Sequence, residues 1–146
     1  MSATCFSIVE TINANDMSLV ELGINLKTEF HKLFSDIDIL SIDMILIENQ
    51  ISPIANRMKT IQGMVAQYFI DIGNYNIKFI SAANKLKLFI TNNKTTYSDR
   101  KKLGIQYTKQ VLTDKDMLNN LDYFNNHAKK DDLVDSLLQG LYYLSK

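Results

Sequence analysis

The sequence predicts a mixed α/β domain, on three observations. Met44-Ile45-Leu46-Ile47 is a continuous apolar run of strand length. Residues 54–70 then carry apolar side chains at helical spacing, and residues 76–82 (NIKFISA) return to a strand pattern. Strand, helix and strand in that order are the alternation from which α/β folds are built. The chain has 146 residues, 46% of them hydrophobic, and one proline, Pro53. That composition belongs to a chain that folds, and the length to a single domain, 1–146, burying roughly two thirds of the surface its unfolded form exposes.

Along the chain, residues 4–10 (TCFSIVE) and 18–26 (SLVELGINL) read as two strands joined by a hairpin at Asn13-Ala14-Asn15-Asp16. Residues 27–34 form a short helix with Leu26, Phe30, Leu33 and Phe34 on one face, and Asp36 and Asp38 sit in the connection that follows. The MILI run lacks alternation, so it is expected to be covered on both faces, as in the centre of a sheet with parallel neighbours; it ends on Glu48. Pro53 marks a turn. In the next helix Ile54, Met58, Ile61, Val65 and Tyr68 make the apolar stripe, while Asn56, Lys59, Thr60, Gly63 and Gln67 lie away from it. After the second strand come a basic loop at 85–96 and helices at 98–112, 116–124 and 131–144.

Sixteen basic and sixteen acidic residues cancel, yet they are segregated. Acids dominate residues 10–48, opposed by Lys27 and Lys32. By contrast Lys78, Lys85, Lys87, Lys94, Arg100, Lys101, Lys102 and Lys109 have only Asp99 among them. One part of the surface is thus suited to a polyanion while the whole stays neutral, with a solvated lysine-rich loop and helix as the competing reading. The lone cysteine, Cys5, has no partner for an internal disulfide and reads as a buried thiol of an intracellular protein. No apolar run reaches the ~18 residues of a membrane span, and the first residues lack a basic start.

Carboxylates are the candidate chemistry. Asp132 and Asp135, three apart at the start of the last helix, emerge on one face. Glu48, at the end of a buried strand, lies where open sheets place their ligands. Buried acids need compensation, and a hard divalent cation such as Mg²⁺ supplies it; a pair of such ions ~4 Å apart hydrolyses phosphodiesters. The competing readings are an ion pair from Glu48 to Arg57 or Lys59, and helix capping by Asp131 and Asp132. His31 and His127 lack zinc-ligand spacing. Neither a phosphate-binding glycine loop nor a nucleophile elbow occurs.

Four segments, DMILIE, NQISPIANRMKTIQGMVAQYFI, TTYSDRKKLGI and DDLVDSLLQG, resemble the RuvC-type Holliday junction resolvases of poxviruses and other large DNA viruses, in the RNase H-like superfamily. The resemblance runs from about Asp43 to the end. It implies an RNase H-like mixed sheet flanked by helices, and a homodimeric, Mg²⁺-dependent (or Mn²⁺-dependent) endonuclease that nicks four-way DNA junctions in the viral replication compartment of a host cell. Carried over, Glu48, Asp132 and Asp135 match the catalytic metal ligands. The helix from Ile54 matches the one used for dimerisation, through Met58, Ile61 and Val65, and for junction contact, through Arg57 and Lys59. Lys94, Arg100, Lys101 and Lys102 would hold the DNA backbone, with junction shape rather than base edges giving specificity.

In one respect the chain departs from that family, whose members begin with a strand bearing an Asp followed closely by a Gly. Here SATCFSIVE matches the second strand, so the first strand and its metal ligand are expected to be missing. The alternative is therefore a catalytically inactive homologue that binds DNA or dimerises. A third reading is a helical interaction protein whose acids cap helices.

Overall fold

The computed structural model describes residues 16–51, 56–89 and 96–146. They divide into two compact units, one ending at Ser81 and the other running from Ala82 to Lys146.

The first unit opens with α1 (Leu19–Leu33). Ser18 and Glu21 close a reciprocal capping box: the Glu21 N–H donates to Ser18 Oγ (3.2 Å) and the Ser18 N–H to Glu21 Oε2 (2.8 Å). Those bonds hold the Glu21 carboxyl below its ordinary range. The expected strand at 18–26 is thus helical and continuous with the short helix expected at 27–34. The other half of the expected hairpin, 4–10, lies outside the described residues, as do Cys5 and Pro53.

After a 3-10 turn at Ile39–Ser41 comes β1 (Ile45–Glu48), then α2 (Asn56–Ile72) and β2 (Ile77–Ile80). β1 and β2 pair in parallel, Ile45 opposite Ile77 and Glu48 opposite Ile80, so α2 is the crossover of a βαβ unit. Along β1 burial alternates: Ile45 and Ile47 are buried, Leu46 and Glu48 half-buried. The strand is therefore covered on one face, not on both.

Its covered face meets Ile39, Tyr68 and Phe69, with Leu26, Phe30, Phe34 and Val65 packed around them. Phe30, Tyr68 and Phe69 meet edge-on or tilted, with centroids 5.1–6.0 Å apart, the geometry that aromatic quadrupoles favour. Desolvation in that cluster raises the Tyr68 phenol above its usual range.

α2 stops at Gly73, whose φ of 103° suits glycine alone. The Gly73 N–H bonds Ile70 O (3.0 Å) and the Asn74 N–H bonds Phe69 O (3.0 Å), a Schellman closure. Asn74 is 4% exposed. Its Nδ2 donates to Ile39 O and Ile42 O, each at 2.9 Å, while its Oδ1 accepts from the Asn76 N–H. One amide thus ties the end of α2 to the segment leading into β1. Asn74→Asp, which replaces this donor by a carboxylate facing two carbonyl oxygens, is expected to lower stability by about 3 kcal/mol in urea unfolding; a change within error would show that the staple is dispensable.

The second unit is helical: a 3-10 turn at Ala82–Asn84, then α3 (Tyr97–Asp114), α4 (Leu118–Asn126) and α5 (Lys130–Leu144). Gly104, Thr108 and Leu112 recur every four residues on α3 and are buried. Opposite lie Leu133, Val134 and Leu138 of α5, with Phe124 of α4 fully buried beside them. A Cβ on Gly104 would stand 2.8 Å from Val134 Cγ1, so this glycine marks the closest approach of α3 to α5. Phe89 stacks on Tyr107 at 4.4 Å, and the Tyr107 hydroxyl donates to Phe89 O, fastening the segment that precedes α3.

The RNase H-like mixed sheet flanked by helices is not what this sequence forms. Of the described residues 67% are helical, and they hold a two-stranded parallel sheet. The physical reason lies at residues 18–26. Their apparent alternation competes with helical spacing of Leu19, Leu22, Leu26, Phe30 and Leu33, and the capping box decides for the helix.

Candidate functional site

α3 begins at a second capping box. The Asp99 N–H donates to Thr96 Oγ1 (3.2 Å), and Asp99 Oδ2 accepts from both the Thr96 hydroxyl (2.6 Å) and N–H (3.1 Å). Those bonds, the one from the Thr96 hydroxyl first, lower the Asp99 carboxyl from its ordinary value. Arg100, Lys101 and Lys102 follow at once, all exposed. Cations near a helix N-terminus work against the helix dipole, so helix stability supplies no reason for three of them there.

Two turns on, Lys109 is exposed on the same face as Lys102, about 20° away around the axis and ~10 Å along it, with the exposed Gln106 between. The outward face of α3 is therefore a polar stripe with lysines at both ends, while Arg100, two residues before Lys102, is exposed about 160° around the axis from it. The opposite face is the buried row of Gly104, Thr108 and Leu112.

The acids of α5 lie within the same unit. Asp131 is paired with Lys101. Asp135 accepts from Lys85 through both oxygens, at 2.7 and 2.8 Å, each side chain about one third exposed (33% and 31%). Asp132 is exposed. It borders a shallow depression of about 540 Å³ whose charged lining, Lys129, Lys130, Asp131 and Asp132, balances to zero. Glu48 belongs to the other unit, at the end of β1, where it is half-buried and accepts from Gln50 Nε2 at 3.4 Å.

These residues do not fit the divalent ion that the resemblance implies. A hard cation needs the carboxylate oxygens that Lys85 already holds, and an ammonium beside it would repel it. Among the described residues no three His, Cys, Asp or Glu side chains are grouped to hold a metal ion. The described histidines are engaged locally: His31 lies edge-on to Tyr68, and His127 Nδ1 accepts from the Lys129 N–H.

The remaining expected contacts sort by exposure. Arg57 is half-buried, and its guanidinium donates to the Met17 carbonyl, which turns it toward the start of α1 rather than outward. Lys59 is exposed on α2, and Lys94 lies outside the described residues. Of the expected dimer residues, Met58 is 48% exposed, Ile61 is half-buried, and Val65 packs on the aromatic core. Lys109 was legible only as a member of the basic run 78–109, although its spacing of seven from Lys102 puts the two on one face, and the pairing of Lys85 with Asp135 has no local signal across 50 residues.

No family model matches this sequence. It is similar to an uncharacterized protein of Acanthamoeba polyphaga mimivirus, 37% identical over 143 residues covering 85% of the chain. The chain spans 34% of the length of that curated relative. No solved structure matches. Among the described residues no helix is long and apolar enough to cross a membrane.

Proposed function

We propose that this chain is a nucleic-acid-binding module without turnover, which grips the phosphate backbone with the outward face of α3. The observation that carries the reading is the exposed pair Lys102 and Lys109 on one side of a helix whose first acid, Asp99, is committed to its cap, with Arg100 exposed in the same first turn. Such a surface recognises phosphate spacing and local shape more than base edges. Two acids of α5, one of them the Asp135 carried over as catalytic, support it in a different role. Asp131 and Asp135 hold Lys101 and Lys85 in ion pairs, which leaves the outward stripe of α3 as the net positive surface.

The test combines binding and cleavage on one substrate. A labelled four-way DNA junction at low salt is expected to bind the chain with the micromolar-to-weaker affinity of backbone contacts, and to stay intact with Mg²⁺, Mn²⁺ or EDTA alike. Metal-dependent nicking that Glu48→Gln and Asp135→Asn both abolish would overturn the reading in favour of a nuclease.

A further inference from the structure

We propose that Lys87, Tyr142 and Lys146 form a binding site for a phosphate monoester at the C-terminal end of α5. The 3-10 turn at Ala82–Asn84 packs on α5, and Lys85 just beyond it is paired with Asp135. Tyr142 stands seven residues after Asp135, two turns along the same face of α5, so the chain fastened at Asp135 brings Lys87 to its ring. The Lys87 N–H bonds Asn84 O (3.1 Å) and Leu86 is buried, which fixes the turn that carries Lys87. Lys146, one helical turn beyond Tyr142, reaches the same ring. The two ammonium nitrogens lie 5.6 and 4.8 Å from its centroid.

Both lysines are exposed, and among the described residues neither has a carboxylate partner, whereas Lys32, Lys85 and Lys101 are each paired with an acid. A hydrogen bond from Lys146, helped by the charges of Lys146 and Lys87, lowers the Tyr142 phenol from its usual value and leaves its O–H free to donate. Three donors thus converge with no acceptor among them. A helix C-terminus favours a cation and a ring face attracts one, which accounts for Lys146. A second ammonium brought to the same ring by another segment is repelled by the first, and an anion held between them relieves that repulsion. A phosphate monoester fits, with about two negative charges at neutral pH and three acceptor oxygens. α3 meets α5 through its buried face, so the site is separate from the outward face of α3 and stands whether or not that face binds nucleic acid.

Inorganic phosphate is the probe, titrated into the full chain at constant ionic strength against sodium chloride and read by the backbone amide shifts of residues 84–88 and 142–146. A saturable shift is expected with phosphate and none with chloride. Lys87→Gln and Lys146→Gln, both at exposed positions, are each expected to weaken binding about fivefold, what one exposed charge at ~4 Å is worth in water. Tyr142→Phe, which keeps the ring and removes the donor, is expected to weaken it less. Lys129→Gln, at the other end of α5, is expected to match the wild type. Two single-stranded oligonucleotides that differ in a 5′-phosphate or a 5′-hydroxyl separate the sources of the group: tighter binding of the phosphorylated one that Lys87→Gln removes assigns the site to a nucleic-acid end, and equal binding of the two beside a saturable phosphate shift assigns it to a small phosphate compound. No saturable shift with phosphate, or one that Lys87→Gln and Lys146→Gln both leave unchanged, would overturn the proposal.

Discussion

Gly104→Val is expected to cost the helical unit about 3 kcal/mol or more, the upper end of what overpacking a close-packed seam costs. The β-carbon alone would stand 2.8 Å from Val134 Cγ1, and Val134 is 5% exposed on a stiff, β-branched side chain with little room to move. Helix propensity argues the other way, since glycine inside a helix costs roughly 1 kcal/mol relative to alanine. The two effects are therefore separable. Gly104→Ala should lose less than Gly104→Val, and Gly104→Ala combined with Val134→Ala should be more stable than the two single losses predict, because the second change opens the space the first one fills. Urea midpoints at constant slope measure this. A stabilised Gly104→Val protein would mean that α3 and α5 do not meet at this point.

Most helices and both strands of the structure were legible from periodicity. The segments read at 54–70, 98–112, 116–124 and 131–144 fall within α2, α3, α4 and α5 to about two residues, apart from residues that are not described. Glu48 stands at the end of β1, as the abrupt close of the MILI run implied. What misled was α1, where Leu22, Ile24 and Leu26 alternate like a strand. The deciding signal, Ser18 with Glu21 three residues later, was present in the sequence and was outweighed by the alternation. With that segment helical, the hairpin expected at the start of the chain loses its second strand.

Legibility at the site divides by distance along the chain. The basic cluster at Arg100, Lys101 and Lys102 is local, so its exposure follows from helix geometry. The fates of Asp131 and Asp135 are not local, since their partners Lys101 and Lys85 lie 30 and 50 residues away. Three acids at helical spacing look alike in sequence whether they await a metal ion or already hold lysines. Arg57 is a similar case: at the start of a helix it reads as a phosphate contact, and it instead satisfies a carbonyl 40 residues earlier.

The second large effect concerns α3. Replacing Arg100, Lys102 and Lys109 together with alanine removes three exposed cations of α3, two of them on its outward face, while leaving Lys101 on Asp131. If each makes one phosphate contact, the slope of log K against log salt should fall in magnitude by about 2.7, which is roughly a fortyfold difference in how much affinity is lost between 50 and 200 mM salt. Thermal stability should hold or rise slightly, because cations leave the positive end of the helix.

Net charge alone would mimic part of that effect, and the decisive comparison removes it. A second triple variant, Lys27→Ala with Lys59→Ala and Lys78→Ala, carries the same loss of charge on exposed lysines of the other unit. Fluorescence anisotropy of a labelled four-way junction, titrated with wild type and both triple variants across a salt series, is the measurement. If α3 is the binding surface, only the Arg100, Lys102 and Lys109 variant loses affinity and flattens the salt slope, while the other stays near wild type. Equal losses in the two variants, or a wild-type chain that does not bind the junction at low salt, would contradict it.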